Sequence, residues 1–178
     1  MRKIPALLIL LLTSISTVYA QPDDKQTSYE EIYTEWGYTN LNKAIAVFEN
    51  HFDKELELPL RVPPLSFTHQ FGKFNDSEGD INDTLELQFT SEIHPENHYK
   101  INVKPHKNRI TINERQLVNT YKLEDESTAS YIRIGPSKKA HFYALLFQRN
   151  GWQYILSVDK RVTDTVTPEV LVKIANSF

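Results

Sequence analysis

The chain has 178 residues, of which 20 are basic and 23 acidic, and it contains no cysteine. The lack of cysteine excludes disulfides, zinc–thiolate sites and thiol nucleophiles, so the fold must be held together by core packing. The acidic balance disfavours nucleic acid as a partner and provides no steering toward an anionic membrane.

The first twenty residues have the form of a secretory signal. Arg2 and Lys3 are the charged end, an apolar run is centred on 6–12, and Val18-Tyr19-Ala20 is a small-x-small cleavage site. The apolar run is about half of the ~20 residues that cross a bilayer. We therefore predict cleavage after Ala20, a secreted or extracytoplasmic protein, and no stable membrane span in the mature chain. Removing two basic residues from 20 leaves 18 against 23 acidic ones, a net charge of −5.

Residues 21–38 are predicted to form a polar lead-in and a short aromatic helix. Ser28-x-x-Glu31 has the form of a capping box, and aromatic residues follow it at helical spacing. Residues 39–178 are predicted to form a single α+β domain. It starts with a helix capped by Asn40, in which Leu41, Ile45, Phe48 and Phe52 share one face.

The last forty residues predict a β-hairpin followed by a helix. Asn150-Gly151 suits the two positive φ angles of a type I′ turn, and β-rich runs flank it at His141–Arg149 and Trp152–Val158. Thr167-Pro168 then predicts a helix start, with apolar residues at helical spacing after it. Earlier alternating segments predict further strands at 66–74, 84–93, 99–103, 109–112, 116–123 and 129–134. The predicted fold class is thus α+β: a curled antiparallel sheet of about six to eight strands, with N-terminal helices and one C-terminal helix packed on it.

The sequence contains no recognisable catalytic motif. Neither G-x-S-x-G nor G-x-x-x-x-G-K occurs, so we predict no catalytic residue and no cofactor, although paired carboxylates for glycoside hydrolysis stay open. His94, His98 and His106 lie close in sequence, but Pro95 disfavours the helix that would aim two imidazoles at one metal. No metal site is predicted.

Two charged segments each have two interpretations. Asp76, Glu78, Asp80 and Asp83 form an acidic turn that is either a weak calcium site or a solvated hairpin tip. The basic run 104–109 either meets an anionic wall polymer or phospholipid, or is a solvated loop.

The segment from Leu146 to Tyr154, with the Thr-Pro-Glu-Val-Leu helix that ends at 173–177, resembles a bacterial domain-of-unknown-function family. Members of that family occur in secreted proteins and in the extracytoplasmic parts of anti-sigma-factor-like proteins. The proline-bearing segment 58–64 also looks like that family's entry to its sheet. The resemblance implies a half-open antiparallel sheet wrapped on helices, similar to lipoprotein-carrier and periplasmic sigma-regulator proteins. It brings no catalytic residues.

These observations favour a non-enzymatic, secreted accessory domain of the bacterial envelope. We predict that it holds an apolar or extended ligand, such as a lipid, a peptide or an apolar small molecule, on the concave side of its sheet. Trp152 and Tyr154 project to one face, and the strand that contains Tyr143 is apolar on both faces, so these three residues are the predicted ligand-binding set. A regulatory or sensory partner of an envelope membrane protein and an envelope-polymer hydrolase are the alternatives.

Overall fold

A computed structural model of the chain describes residues 27–76, 83–135 and 141–178. The predicted signal with its cleavage site, and the acidic residues Glu78 and Asp80, lie outside these ranges. The described part contains three helices, namely α1 (Tyr29–Glu35), α2 (Leu41–Phe52) and α3 (Pro168–Ala175). Its seven strands are β1 (His69–Asn75), β2 (Thr84–Thr90), β3 (His98–Pro105), β4 (Leu117–Lys122), β5 (Thr128–Ile134), β6 (Phe142–Arg149) and β7 (Trp152–Asp159). No described helix is long and apolar enough to span a membrane.

The closing hairpin lies at the centre of the sheet. Asn150 and Gly151 have φ angles of 50° and 81°, so Arg149 and Trp152 face each other directly across the predicted turn. The strands are all antiparallel and run in the order β1-β2-β3-β7-β6-β5-β4, so β7 joins two halves of the sheet. The sheet does not close, and β1 and β4 are its edges. The predicted α+β class and strand number are confirmed.

Helices α2 and α3 cover one face of the sheet. The helix α2 begins at Asn40, whose side chain accepts a hydrogen bond from Asn42 N–H, as predicted. Gly72 in β1 permits the close approach of this helix, since a Cβ built there would lie 2.6 Å from the Ala44 Cβ. Thr167 precedes α3 as predicted, but its hydroxyl makes no capping hydrogen bond, and Pro168 starts the helix. Between the helices and the sheet lies the main core, which includes Phe48, Leu87, Tyr99, Leu145, Trp152, Tyr154, Leu156 and Leu171.

Helix α1 lies on the opposite face. Its predicted capping box is present, with the Ser28 hydroxyl and the Glu31 side chain each accepting a hydrogen bond from the other residue's backbone N–H. Tyr33 stacks on Phe71 with ring centroids 4.2 Å apart. Because Phe71 and Gly72 point to opposite faces of β1, this contact places α1 across the sheet from α2.

One predicted strand is wrong. Residues 109–112 are irregular rather than extended into the sheet. The backbone N–H and C=O of Ile110 bond to the side chain of Gln153 instead of to a neighbouring strand. A side-chain amide presents the same donor and acceptor as a strand backbone, so it satisfies this segment without a ladder.

Candidate functional site

The structure places all three predicted ligand-binding residues on the face that the helices cover. Trp152 is only 3% exposed and packs against Phe48, with ring centroids 4.9 Å apart. Tyr154 has no exposed surface, and its hydroxyl donates a 2.8 Å hydrogen bond to the Glu57 carbonyl. Burial raises the pKa of this tyrosine above its usual range. Both rings therefore belong to the core.

Tyr143 is the half-buried member of the predicted set. It stacks on Tyr131 with centroids 5.5 Å apart, on the same helix-covered face. The structure therefore has no ligand groove beside Trp152 and Tyr154 among the described residues, because α2 and the C-terminal segment pack on these two rings. Phe178 packs on Tyr154 at 4.8 Å and completes the cover.

We call the other side of the sheet, opposite α2 and α3, the open face. Helix α1 covers it only over β1 and β2, and the segment 109–116, which we call the strap, covers it over β5, β6 and β7. The strap packs Ile112 on an apolar patch of the sheet. The patch consists of Ile132, Ala144, Leu146 and Ile155. The second apolar face of β6, noticed in the sequence, is therefore covered by a loop.

Gln153 fixes the strap to the sheet. Its side-chain oxygen accepts a hydrogen bond from Ile110 N–H at 2.8 Å, and its side-chain nitrogen donates to the Ile110 carbonyl at 3.1 Å. Gln153 is 4% exposed and Ile110 is 40% exposed, so this pair of bonds is part-buried. Gln153 was not among the residues predicted from the sequence. The available signal was a polar side chain inside a strand whose neighbours are all apolar.

A cleft of about 440 Å³ lies beside the strap, where the strap approaches β5 and β6. Its lining combines hydroxyl, amide, guanidinium and apolar groups. The lining residues include Arg109, Ile112, Thr128, Ser130, Leu146 and Gln148. This volume is within the range of small-molecule and cofactor sites, and the hydroxyls and amides can both donate and accept hydrogen bonds. The arrangement suits a ligand with alternating donors and acceptors and one apolar group.

A chain of polar side chains crosses the open face between α1 and the strap. The Tyr38 hydroxyl donates to Glu86 at 2.9 Å and accepts a hydrogen bond from the Gln88 amide. The amide oxygen of Gln88 lies 3.0 Å from His98 Nε2. Burial, with a smaller contribution from Lys100, lowers the pKa of His98, which favours the neutral imidazole.

The three histidines that cluster in sequence have separate surroundings. His98 forms a hydrogen bond with the side chain of Gln88. His94 Nδ1 lies 3.9 Å from Glu96 Oε1, and His106 Nε2 lies 3.3 Å from a guanidinium nitrogen of Arg109. Arg109, from the basic run, lines the cleft. Within the described ranges, a different group of three side chains could hold a metal, consisting of His51, Asp76 and Asp83. The sequence analysis considered the two aspartates but missed the histidine, because it comes from a helix.

No family model, no curated protein and no solved structure matches this chain. The class of protein that the structure defines is an open seven-stranded antiparallel α+β domain with a cleft on one face. The resemblance drawn from the C-terminal motifs stays a prediction.

Replacing Gln153 by alanine is expected to release the strap. The substitution removes two part-buried hydrogen bonds to the backbone of Ile110, each worth about 0.5–1.5 kcal/mol. Trypsin should then cut the strap at Arg109 and Arg115 several-fold faster, as measured by timed digestion and mass spectrometry. Gln148→Ala is the matched control, since Gln148 faces Gln153 across the strands but is exposed. Equal strap cleavage in the two variants would contradict the clamp.

Proposed function

We propose that the protein is an extracytoplasmic accessory domain that binds an extended polypeptide segment in the cleft beside the strap, without chemical turnover. The observation that carries this proposal is the cleft itself. It has a volume of about 440 Å³ and is lined by both hydrogen-bonding and apolar side chains. The signal-like N-terminus of the sequence supports the extracytoplasmic location.

Of the lipid, peptide and apolar small molecule that the sequence suggested as ligands, the lining favours a peptide. Ser130 and Gln148 can pair with the N–H and C=O groups of a peptide backbone, which need partners when they leave water. Leu146 offers an apolar surface for one side chain of the ligand. Arg109 at the cleft suits a carboxylate, because its guanidinium donates two parallel hydrogen bonds to such a group. A lipid chain would leave most of these polar groups unsatisfied.

Filling the cleft should abolish binding without disturbing the core. Ser130→Leu places a larger side chain in the cleft, and Thr120→Leu adds the same bulk to the residue directly opposite on β4, which is exposed. The probe is a pool of synthetic pentapeptides of randomised sequence, observed by saturation-transfer NMR with the mature protein. We expect saturable binding by the wild type and by Thr120→Leu, and at least a tenfold weaker affinity for Ser130→Leu.

Folding of each variant is checked first by its thermal transition. Absence of saturable binding by the folded wild type would overturn the proposal. Binding that is equal in Ser130→Leu and the wild type would also overturn it, because the peptide would then lie outside the cleft.

A further inference from the structure

Three side chains with metal-binding atoms meet where the end of α2 approaches β1 and β2, on strands that do not line the cleft. His51 is in the last turn of α2, Asp76 directly follows β1, and Asp83 directly precedes β2. The His51 Nε2 atom lies 3.3 Å from Asp83 Oδ2, and Nδ1 lies 3.9 Å from Asp76 Oδ2. One ligand atom from each residue can be chosen so that all three lie within 4.8 Å of one another. The fold thus brings together donors that are 25 and 32 positions from the histidine (76 − 51 and 83 − 51).

The group differs from a solvated acidic cluster in two respects. The Asp83 side chain has no exposed surface, whereas the carboxylates of a solvated acidic cluster face water. The imidazole is also held in place by two phenyl rings that meet it edge-on. The ring centroids of Phe52 and Phe74 lie 4.6 and 5.1 Å from that of His51, with interplanar angles of 76° and 60°. The nitrogen that faces Asp83 is therefore directed by packing.

We propose that His51, Asp76 and Asp83 bind one divalent transition-metal ion of the zinc type. In a tetrahedral zinc site with bonds of about 2.0–2.1 Å, neighbouring ligand atoms lie about 3.3–3.4 Å apart. The His51–Asp83 separation of 3.3 Å already has this value. The Asp76 oxygen lies within 4.8 Å of the ligand atoms of His51 and Asp83. Because the Asp76 side chain is 64% exposed, it can rotate to shorten this separation without disturbing the core.

The donor set favours zinc over calcium. Imidazole nitrogen suits zinc, copper, iron and nickel, whereas calcium takes six to eight oxygen ligands. Water would complete the coordination on the exposed side, as it does where a zinc ion has three protein ligands. The bound ion would connect the end of α2 to the end of β1 and the start of β2, so that binding raises the thermal stability of the protein.

The competing interpretation is a contact between His51 and Asp83 that involves no metal. Isothermal titration of the metal-free mature protein with Zn²⁺ at pH 7.5 distinguishes the two. We expect a single saturable site and a thermal transition that rises with zinc concentration. Cobalt is the second probe, because Co²⁺ in a tetrahedral nitrogen and oxygen site has an intense visible absorption.

Variants assign the site to these residues. His51→Gln and Asp76→Asn should each weaken zinc binding at least tenfold. The Asp76 side chain is 64% exposed, so we expect Asp76→Asn to fold like the wild type. His94→Gln is the matched control, since His94 is exposed and also lies 3.9 Å from a carboxylate, that of Glu96. It should bind zinc like the wild type.

Three results would overturn the proposal. The first is the absence of a saturable zinc site in the folded wild type. The second is unchanged zinc affinity in both His51→Gln and Asp76→Asn. The third is tighter binding of Ca²⁺ than of Zn²⁺, which would assign the ion to carboxylate oxygens alone.

Discussion

Replacing Trp152 by alanine is expected to lower the free energy of unfolding by about 3–5 kcal/mol. The indole is 3% exposed and packs between two rings of α2, with centroids 4.9 Å from Phe48 and 5.2 Å from Phe52. Its removal leaves a cavity at the junction of the closing hairpin and the helix, which the surrounding side chains fill only in part. Equilibrium unfolding in urea, followed by circular dichroism, measures the loss.

Trp152→Phe is the matched control for this result. The indole Nε1 is buried and has no hydrogen-bond partner among the described residues, so phenylalanine removes an unsatisfied donor as well as part of the ring. We expect a cost below about 1.5 kcal/mol, the range of well-tolerated hydrophobic exchanges. If Trp152→Ala instead lowered the free energy of unfolding by less than about 0.5 kcal/mol, as surface substitutions do, Trp152 would not be part of the core. The prediction that Trp152 binds a ligand would then again be tenable.

Replacing Leu171 by alanine is expected to cost about 2–5 kcal/mol. Leu171 has no exposed surface and anchors α3 against the sheet, together with Ile174 and Ala175 on the same side of the helix. This helix lies close to the chain terminus, so the measurement also shows whether the terminal segment is part of the cooperative fold. Urea unfolding monitored at two wavelengths gives the free energy and tests for a single transition.

Lys173→Ala provides the comparison on the same helix. Lys173 is exposed, and its substitution is expected to change stability by no more than about 0.5 kcal/mol. A loss below that value for Leu171→Ala would show that α3 does not dock on the sheet. Such a result would also contradict the packing of Phe178, which follows α3, on the ring of Tyr154.

The two proposed sites involve different strands of the sheet and can be tested separately. The cleft is formed by the strap with β5, β6 and β7, whereas the proposed metal site joins α2 to the ends of β1 and β2. A failure of zinc binding therefore says nothing about the cleft. Equally, a folded protein that binds no peptide can still bind zinc.

The sequence by itself determined the elements whose cause is local. The Asn150-Gly151 turn, the Ser28 capping box and the Pro168 helix start depend on residues within four positions of each other, and each lies where it was predicted. The alternation of apolar residues also predicted correctly that Trp152 and Tyr154 share one face. In these cases the backbone preferences of one short segment decide its conformation whatever the rest of the chain does.

Only the tertiary structure decided which face is covered and which contacts define the sites. Alternation shows that Trp152 and Tyr154 point the same way, but α2 and the C-terminal segment must dock before either ring is buried. The strap depends on Ile110 and Gln153, 43 positions apart, and the proposed metal site depends on His51 and Asp83, 32 positions apart. The order of the strands brings such distant residues together. The contacts of the whole sheet compensate the loss of chain entropy on closing the long loops between them. No local sequence pattern predicts those contacts, so the strap and the proposed metal site could be identified only from the tertiary structure.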